Sequence, residues 1–320
     1  MTRRIAASPL TTRTWLPRAL AAAMVLGCLA TLWLGYWATE GWRRSSIELV
    51  ERTLDEQIGL AWMVLTRDMR GAQASILTVS GENLREAVAN ELLDTCARLF
   101  AMYPYPESVF SWGRDAKGAP VTHVYNRAAR LPPWWSGGPT PTSFPVVLCE
   151  DGRPLYAVIE TVLRYADARK QVVVFETMVG GTPYQVVARL EYERPESTAL
   201  AWVLGFTVNL EWARDRYFRD LAEQVSSARL AEPIVAVAVL DERGQTVAGG
   251  SYTQAGGSAR SRSFPLLFAD PAILPVLPPS ELPVRSWSVR VSTGEDGTLA
   301  AVARSMNRTF LLICLAVATM

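Results

Sequence analysis

Apolar and charged positions divide the chain before any motif is considered. From Ala19 to Thr39 no residue is charged, and a helix of about 21 residues reaches about 31 Å, the thickness of a bilayer's hydrocarbon core. The pattern predicts a membrane-spanning helix over 19–39. Trp15 stands at its start and Trp33, Tyr36, Trp37 and Trp42 at its end, where amphipathic rings settle at the two interfaces. Apolar residues then recur at Ile47, Val50, Leu54, Ile58, Ala61, Leu65, Met69, Ala72, Ile76 and Val79, in steps that average close to the ~3.6 residues of a helical turn. A stalk helix over 40–103 is expected, with a break near Gly81, a resumption through Leu84, Val88, Leu92, Leu99 and Met102, and a stop at Pro104.

From Ser108 the period falls to two. Phe110 and Trp112 alternate with polar neighbours, Asp115 to Gly118 makes a turn, and Val121 to Arg127 returns as a hairpin. Leu155 to Tyr165 reads as a further strand. Val172 to Met178 and Tyr184 to Tyr192 form a second hairpin about Gly180, Gly181, Thr182 and Pro183, with Tyr184, Val186, Ala188 and Leu190 on one face. Leu200 to Leu210 is almost wholly apolar, which predicts a central strand covered on both sides. Helical spacing follows from Trp212 through Phe218, Leu221 and Val225. A smaller unit then runs from Ile234 to Leu240, turns at Asp241 to Gly244, returns from Gln245 to Ala248 and ends on a strand holding Trp287, Val289 and Val291. The D-x-x-G turn at Asp115 recurs at Asp241 and hints at two related modules. Leu131 to Pro145, with its paired Trp, reads as a lid or packing flap, and Gly249 to Ser263 as a flexible loop.

A helix from about Thr298 leads into Thr309–Met320, an uncharged run that would cover only about 18 Å. The tail is either a short apolar plug or, as we expect, the start of a second crossing on which the chain is truncated. The expected plan is α+β: 1–18 as a cytoplasmic N-terminus, 19–39 as the first crossing, 40–103 as the stalk, 104–231 as an antiparallel-sheet module, 232–294 as a smaller one, 295–308 as a return helix and 309–320 as the truncated second crossing. Arg3, Arg4, Arg13 and Arg18 precede the first crossing without an acid, whereas Glu40, Arg43, Arg44 and Glu48 follow it with mixed sign. By the positive-inside rule the main domain is extracytoplasmic.

Composition agrees with a chain partly in lipid: 49% of residues are hydrophobic and the mean hydropathy is +0.11. Thirty-two basic against thirty-one acidic residues leave a net charge of +1, so no overall field favours nucleic acid. One histidine, His123, and four cysteines, Cys28, Cys96, Cys149 and Cys314, are too few and scattered for a clustered metal site. No nucleophile elbow, H-E-x-x-H, P-loop or dinucleotide fingerprint is present, and Glu191 and Glu193 beside Arg189 read as a solvated strand edge. No catalytic residue, metal or cofactor is therefore expected in this stretch. Cys96 and Cys149 are the two thiols placed in an oxidising compartment and are a candidate disulfide, provided that their Cα atoms lie within about 7 Å. Tyr125, Arg127, Trp134, Trp135, Tyr184 and Arg189 are the residue types that hold a small organic anion, with an apolar wall and fixed donors, and are the candidate ligand site.

This order of elements, together with Leu204, Gly205, Phe206, Thr207, Val208, Asn209, Leu210, Glu211, Trp212 and then Arg216, Tyr217, Phe218, resembles the extracytoplasmic input region of bacterial sensor histidine kinases with double Cache (PAS-like) domains. The resemblance implies a small-molecule ligand or envelope-protein partner outside and a homodimer formed through the stalks. It also implies a cytoplasmic kinase part beyond the second crossing, which would carry the phosphoacceptor His, use ATP and Mg, and act on a response regulator. The same input layout serves chemoreceptors and diguanylate cyclases. A membrane-anchored envelope scaffold without a ligand is the alternative from another class.

Overall fold

The structure, a computed structural model, describes residues 15–78, 89–115, 117–137, 144–149, 152–194, 196–227, 235–250, 258–274 and 285–293. The break at Gly81, the return helix from Thr298 and the second apolar segment lie outside the described residues, as does the basic N-terminal arm up to residue 14.

Helix α1 (Trp15–Ile76) is continuous over 62 residues, about 93 Å at the helical rise. Within it Pro17–Trp42 is long and apolar enough to cross a membrane and is wholly unburied. The stripe beyond it behaves as its period demands. Leu54, Ile58, Ala61, Leu65, Met69, Ala72 and Ile76 are all buried, while Leu60, Met63 and Val64 on the outer face are exposed. Helix α2 (Ala89–Met102) buries Leu92, Cys96, Leu99 and Phe100; Met102, expected in the same stripe, is exposed at the helix end.

Strands β1 (Pro106–Arg114), β2 (Pro120–Arg127), β3 (Val146–Cys149), β4 (Val172–Val179), β5 (Thr182–Tyr192) and β6 (Leu200–Asn209) form one antiparallel sheet in the order β3-β2-β1-β6-β5-β4. The apolar strand β6 is central, as its composition requires, with Leu204, Phe206 and Val208 on one core and Leu200 and Val203 on the other. Strands β4 and β5 meet through a two-residue turn in which Gly180 and Gly181 hold φ of 57° and 85°; two successive positive φ values are the demand of the tightest hairpins. The turn is shorter than the sequence suggested, since Thr182 and Pro183 already belong to β5.

Three expectations are corrected. Leu155 to Tyr165 is not a strand: a 3-10 turn at Arg153–Leu155 opens helix α3 (Tyr156–Asp167). Leu155, Val158, Ile159, Val162 and Ala166 are buried together on one helical face, and Pro154 fits the first turn, where no N–H is needed. Ala259 to Ser263 is not loop but part of β9 (Ala259–Pro265), an edge strand whose polar side chains face outward or toward α1. Cys96 and Cys149 form no disulfide with each other. Cys96 lies in the core on the α1 side of the large sheet and Cys149 in the core on the α3 side, so the sheet itself separates them.

After β6 the chain passes through α4 (Leu210–Trp212), a π-helical turn (Ala213–Tyr217) and α5 (Phe218–Ser227). Strands β7 (Val235–Leu240), β8 (Thr246–Gly249), β9 and β10 (Ser286–Thr293) make the second antiparallel sheet, ordered β8-β7-β10-β9. The fold is α+β, with a long apolar-to-amphipathic helix and two antiparallel-sheet modules. Both D-x-x-G turns are built alike. Asp115 Oδ1 accepts from the N–H groups of Lys117 and Ala119, and Asp241 Oδ1 from those of Arg243 and Gln245. Gly118 and Gly244 then take positive φ in each.

Both modules rest on α1 in order along it. Arg260 of β9 pairs with Glu51 and Asp55, and Trp62 donates to the Ser263 carbonyl. Farther from the apolar end, Ala72 meets Tyr105 and the Leu77 carbonyl accepts from Arg189. The two modules also bind each other directly. The buried Gln185 amide donates to the Leu266 carbonyl at 2.9 Å and accepts from Phe268 N–H at 2.7 Å, and Arg285 joins Glu176 of β4 at 3.3 Å.

Two predictions follow from this packing. A Cβ on Gly71 would stand 2.1 Å from the Tyr103 ring, whereas one on Gly59 would meet nothing within 4 Å. Gly71→Ala is expected to lose about 1–3 kcal/mol by overpacking and Gly59→Ala to gain up to about 1 kcal/mol of helix propensity, measured by thermal unfolding of the full chain in detergent. Equal effects would contradict the packing. The second concerns Glu176, whose carboxyl is raised by burial against the opposing pull of Arg285. The folded state then binds this proton more tightly than the unfolded chain, so its contribution is complete below the ordinary carboxyl value and is lost as pH rises through the raised one. The stability of the wild type relative to Glu176→Gln, which does not titrate, is expected to rise as pH falls from about 7 into the carboxyl range; denaturant midpoints across that range check it, and a flat difference refutes it.

Candidate functional site

The six residues selected by type do not surround one point. Tyr125, Arg127 and Arg189 face α1 and α2. The Tyr125 ring is buried in that core with Cys96. Arg127 donates to the carbonyls of Phe100, Tyr103 and Pro106 and lies over the Phe100 ring, so it closes the C-terminal end of α2, where carbonyls lack helical partners. Burial lowers it to about 10, with neighbouring Arg130 adding to the effect and Glu107 opposing it. Arg189 does the same for α1, donating to the Leu77 carbonyl at 2.7 Å while pairing with Glu191 at 2.9 Å. His123 sits opposite Ser111 on β2, partly exposed.

Tyr184, Trp134 and Trp135 lie on the other side, beneath α3, with Phe110, Val124, Val186 and Ala188. Here the sheet carries polar residues that the sequence reading passed over. Ser108 is registered with Asn126 on β2 and with Thr207 on β6, so the three form one row across adjacent strands about 5 Å apart. All are 1% exposed or less. Ser108 Oγ donates to Asn126 Oδ1 at 2.7 Å.

Next to the row, at a bulge between Pro106 and Ser108, the Glu107 carboxylate is 1% exposed and fully engaged. Tyr184 Oη donates to Oε2 at 2.5 Å, and Arg130 Nε and Asn209 Nδ2 reach Oε1 at 3.2 and 3.4 Å. Arg130 also donates to the carbonyls of Tyr105 and Pro106, and its guanidinium stacks 3.5 Å from the centre of the Trp212 ring. Burial lowers the Arg130 guanidinium against the support of Glu107. Burial also raises the Tyr184 phenol, and the Glu107 charge raises it further; the phenol thus stays protonated and donates.

Glu107 is therefore neutralised from within. The groups left over are different: among the described residues Asn126 Nδ2, Thr207 Oγ1 and Trp135 Nε1 are buried on this side without a partner, and Glu176 Oε1 on the other. Two of the three are N–H groups and the third a hydroxyl, so together they offer donors to something that accepts. Trp134 and Trp135 belong to the 131–137 segment, which turns on itself through Trp135 N–H to the Pro132 carbonyl at 2.9 Å and packs both indoles against this core. Gly180 lies close enough for its Cβ position to be 3.2 Å from that of Trp134, and the Gly137 backbone sits against the Trp135 ring. The segment closes over the sheet as a flap. A shallow surface crease too narrow to hold a water lies between Thr66, Met69 and Arg70 of α1 and the segment from Pro265 to Pro271, away from the polar row. No group of three or more metal-ligating side chains occurs among the described residues.

No protein-family profile and no curated protein sequence matches the chain. Among the solved structures similar to it are three periplasmic or ligand-binding domains. They are the periplasmic sensory domain of the Campylobacter jejuni chemoreceptor Tlp1 (11% identity over 80% of this chain and 94% of that chain, TM-score 0.32), the ligand-binding domain of the Pseudomonas aeruginosa amino acid chemoreceptor PctC in complex with GABA (12%, 76% and 99%, TM-score 0.35), and the Vibrio cholerae LuxQ periplasmic domain (10%, 77% and 99%, TM-score 0.35). Likenesses at this level leave the ligand of this chain to be argued from its own geometry.

The unpartnered hydroxyl supplies a direct check. Thr207→Val keeps the shape and removes a buried polar atom that has no partner, so the unliganded protein is expected to gain about 1–3 kcal/mol in thermal unfolding. A loss of similar size would show that the hydroxyl is satisfied.

Proposed function

We propose that the chain is the extracytoplasmic input region of a membrane-anchored receptor, binding a small organic molecule between the large sheet and the 131–137 flap. The observation that carries this reading is the row of buried, unpartnered donors on one sheet face. A protein interior normally satisfies such groups, and each costs about 1–3 kcal/mol when it does not. A ligand presenting a carboxylate or carbonyl edge would complete Asn126, Thr207 and Trp135, while Tyr184 and the two indoles supply its apolar wall. Because the flap is closed, it must lift for the ligand to enter.

The apolar start of α1 is the anchor, with its N-terminus in the cytoplasm and the modules outside. The smaller sheet, which meets α1 from Glu51 onward, is then nearer the bilayer than the ligand-binding one. Leu60, Met63 and Val64, exposed on α1, are the face through which two stalks pair. The signal is a helix displacement of about 1–2 Å delivered along α1, with a histidine kinase as the output we favour over a chemoreceptor or cyclase.

Thermal melting of the full chain in detergent against pools of small carboxylates, neutral sugars and amines tests the reading. A carboxylate pool near 100 times its dissociation constant would add about 2.7 kcal/mol, and Asn126→Leu should abolish the shift. The absence of a shift with every pool, or a shift unchanged by Asn126→Leu, rejects it.

A further inference from the structure

Tyr105 enters α1 in an unusual way. Its hydroxyl accepts from the Ala72 N–H at 2.8 Å and donates to the Asp68 carbonyl at 3.2 Å. Asp68 and Ala72 are four residues apart, the two ends of one step of the helical hydrogen-bond ladder. A fully buried phenol is therefore held astride a rung of the helix that leads to the membrane, and insertion of a side chain into that ladder is one of the few recognised causes of helix bending. The same turn holds Gly71, the weakest helix former short of proline, with the Tyr103 ring against it.

The wedge is braced from a second direction. Tyr217 Oη donates to Asp68 Oδ2 at 2.5 Å, and the Tyr105 and Tyr217 rings meet edge to face at 5.5 Å. Tyr217 closes the π-helical turn Ala213–Tyr217, and such turns are a local irregularity that a helix takes on at some expense.

Both supports of the wedge begin at the Glu107 cluster. Tyr105 and Glu107 are two residues apart, and Arg130 grips the Glu107 carboxylate and the Tyr105 carbonyl with one guanidinium. Asn209 joins Glu107 Oε1 to the start of α4, where its Oδ1 accepts from Trp212 N–H at 3.0 Å. The π turn starts at the next residue, and the Trp212 ring carries the Arg130 guanidinium. Glu107 and Arg130 are thus connected to Asp68 by two routes, through Tyr105 and through Tyr217.

We infer that the Tyr105 hydroxyl, seated on the Asp68–Ala72 rung and braced by Tyr217, is a built-in joint of α1 whose geometry is set by the Glu107–Arg130 cluster. The inference rests on the receptor reading for its purpose, since the cluster adjoins the proposed ligand seat. Its test needs no ligand.

Amide hydrogen exchange over residues 68–76 is measured on the full chain in nanodiscs for wild type, Tyr105→Phe, Glu107→Gln and the double variant. Each single substitution is expected to speed exchange there roughly tenfold, on the scale of one hydrogen bond, and the double variant to add less than twofold, because both act on the same rung. Unchanged exchange in Glu107→Gln, or effects that multiply to about a hundredfold in the double variant, would overturn the inference. Tyr217→Phe replaces Tyr105→Phe in the cycle should the latter loosen exchange in β1 and β6 as well, with the same two criteria. A ligand screen without hits leaves this result standing, and a failed cycle leaves the ligand seat standing.

Discussion

A six-stranded antiparallel sheet with apolar residues on both faces is stable only when both faces are covered, and here the two covers are unlike. One is α1, a helix whose buried stripe from Leu54 to Ile76 continues without interruption from an apolar segment of membrane-spanning length. The other is α3 with the short 131–137 segment. The first cover also carries the second sheet, since Phe264, Phe268, Val289 and Val291 share its core. The large sheet therefore cannot tilt against the small one without both shifting on α1, and Gln185, bonded by both ends of its amide to the backbone at Leu266 and Phe268, stiffens that unit. Among the described residues, packing on this side leaves no buried side-chain polar atom without a partner except Glu176 Oε1. The side under α3 is where the sheet departs from ordinary core chemistry.

Glu107 shows how that departure is tolerated. Isolated, a buried carboxylate is among the most costly groups a protein can hold. Surrounded by Tyr184, Asn209 and Arg130 it becomes a fixed point, and Arg130 in turn is held by carbonyls and by an indole face. The polar groups of these partners are all engaged, which is why the unpartnered donors one residue row away, and not the charges, define the candidate site. Arg127 and Arg189 underline the distinction, because the same side chain on the opposite face is spent on helix ends.

The sequence was most legible where one period ran over many residues. The α1 stripe, the central β6 and the alternation of Tyr184, Val186, Ala188 and Leu190 all rest on repeated spacing, and both hairpin turns are written in their glycines. The segment from Leu155 to Tyr165 failed as a strand because Val158, Ile159, Thr161 and Val162 are β-branched residues favoured in strands, and over so short a run the helical spacing competes with that preference. The polar strand Ala259–Ser263 was missed because it has no apolar alternation of its own; it is paired by β10 and held by the acids of α1. Site residues were legible by type only. Tyr184, Trp134 and Trp135 announced themselves as large rings, whereas Ser108, Asn126 and Thr207 are ordinary strand residues until the register places them side by side. Alternation from Phe110 back to Ser108 could have put Ser108 on the α3 face, but nothing in the sequence says that Thr207 lacks a partner.

In the proposed receptor the same orphaned groups would set the size of the signal. A ligand with equal affinity for two states moves neither, and shifting a population from 1:99 to 99:1 needs about 5.5 kcal/mol of differential binding. The apolar wall under α3 is packed whether or not a ligand is present, so it offers little differential. The three unpartnered donors are another matter: at about 1–3 kcal/mol each, completing all of them is worth roughly 3–9 kcal/mol, which brackets the requirement, while completing one falls short. A ligand that switches this protein must therefore engage the row as a set, with acceptors spaced to reach two strands and the flap together. A purely apolar molecule of the same size would bind without signalling.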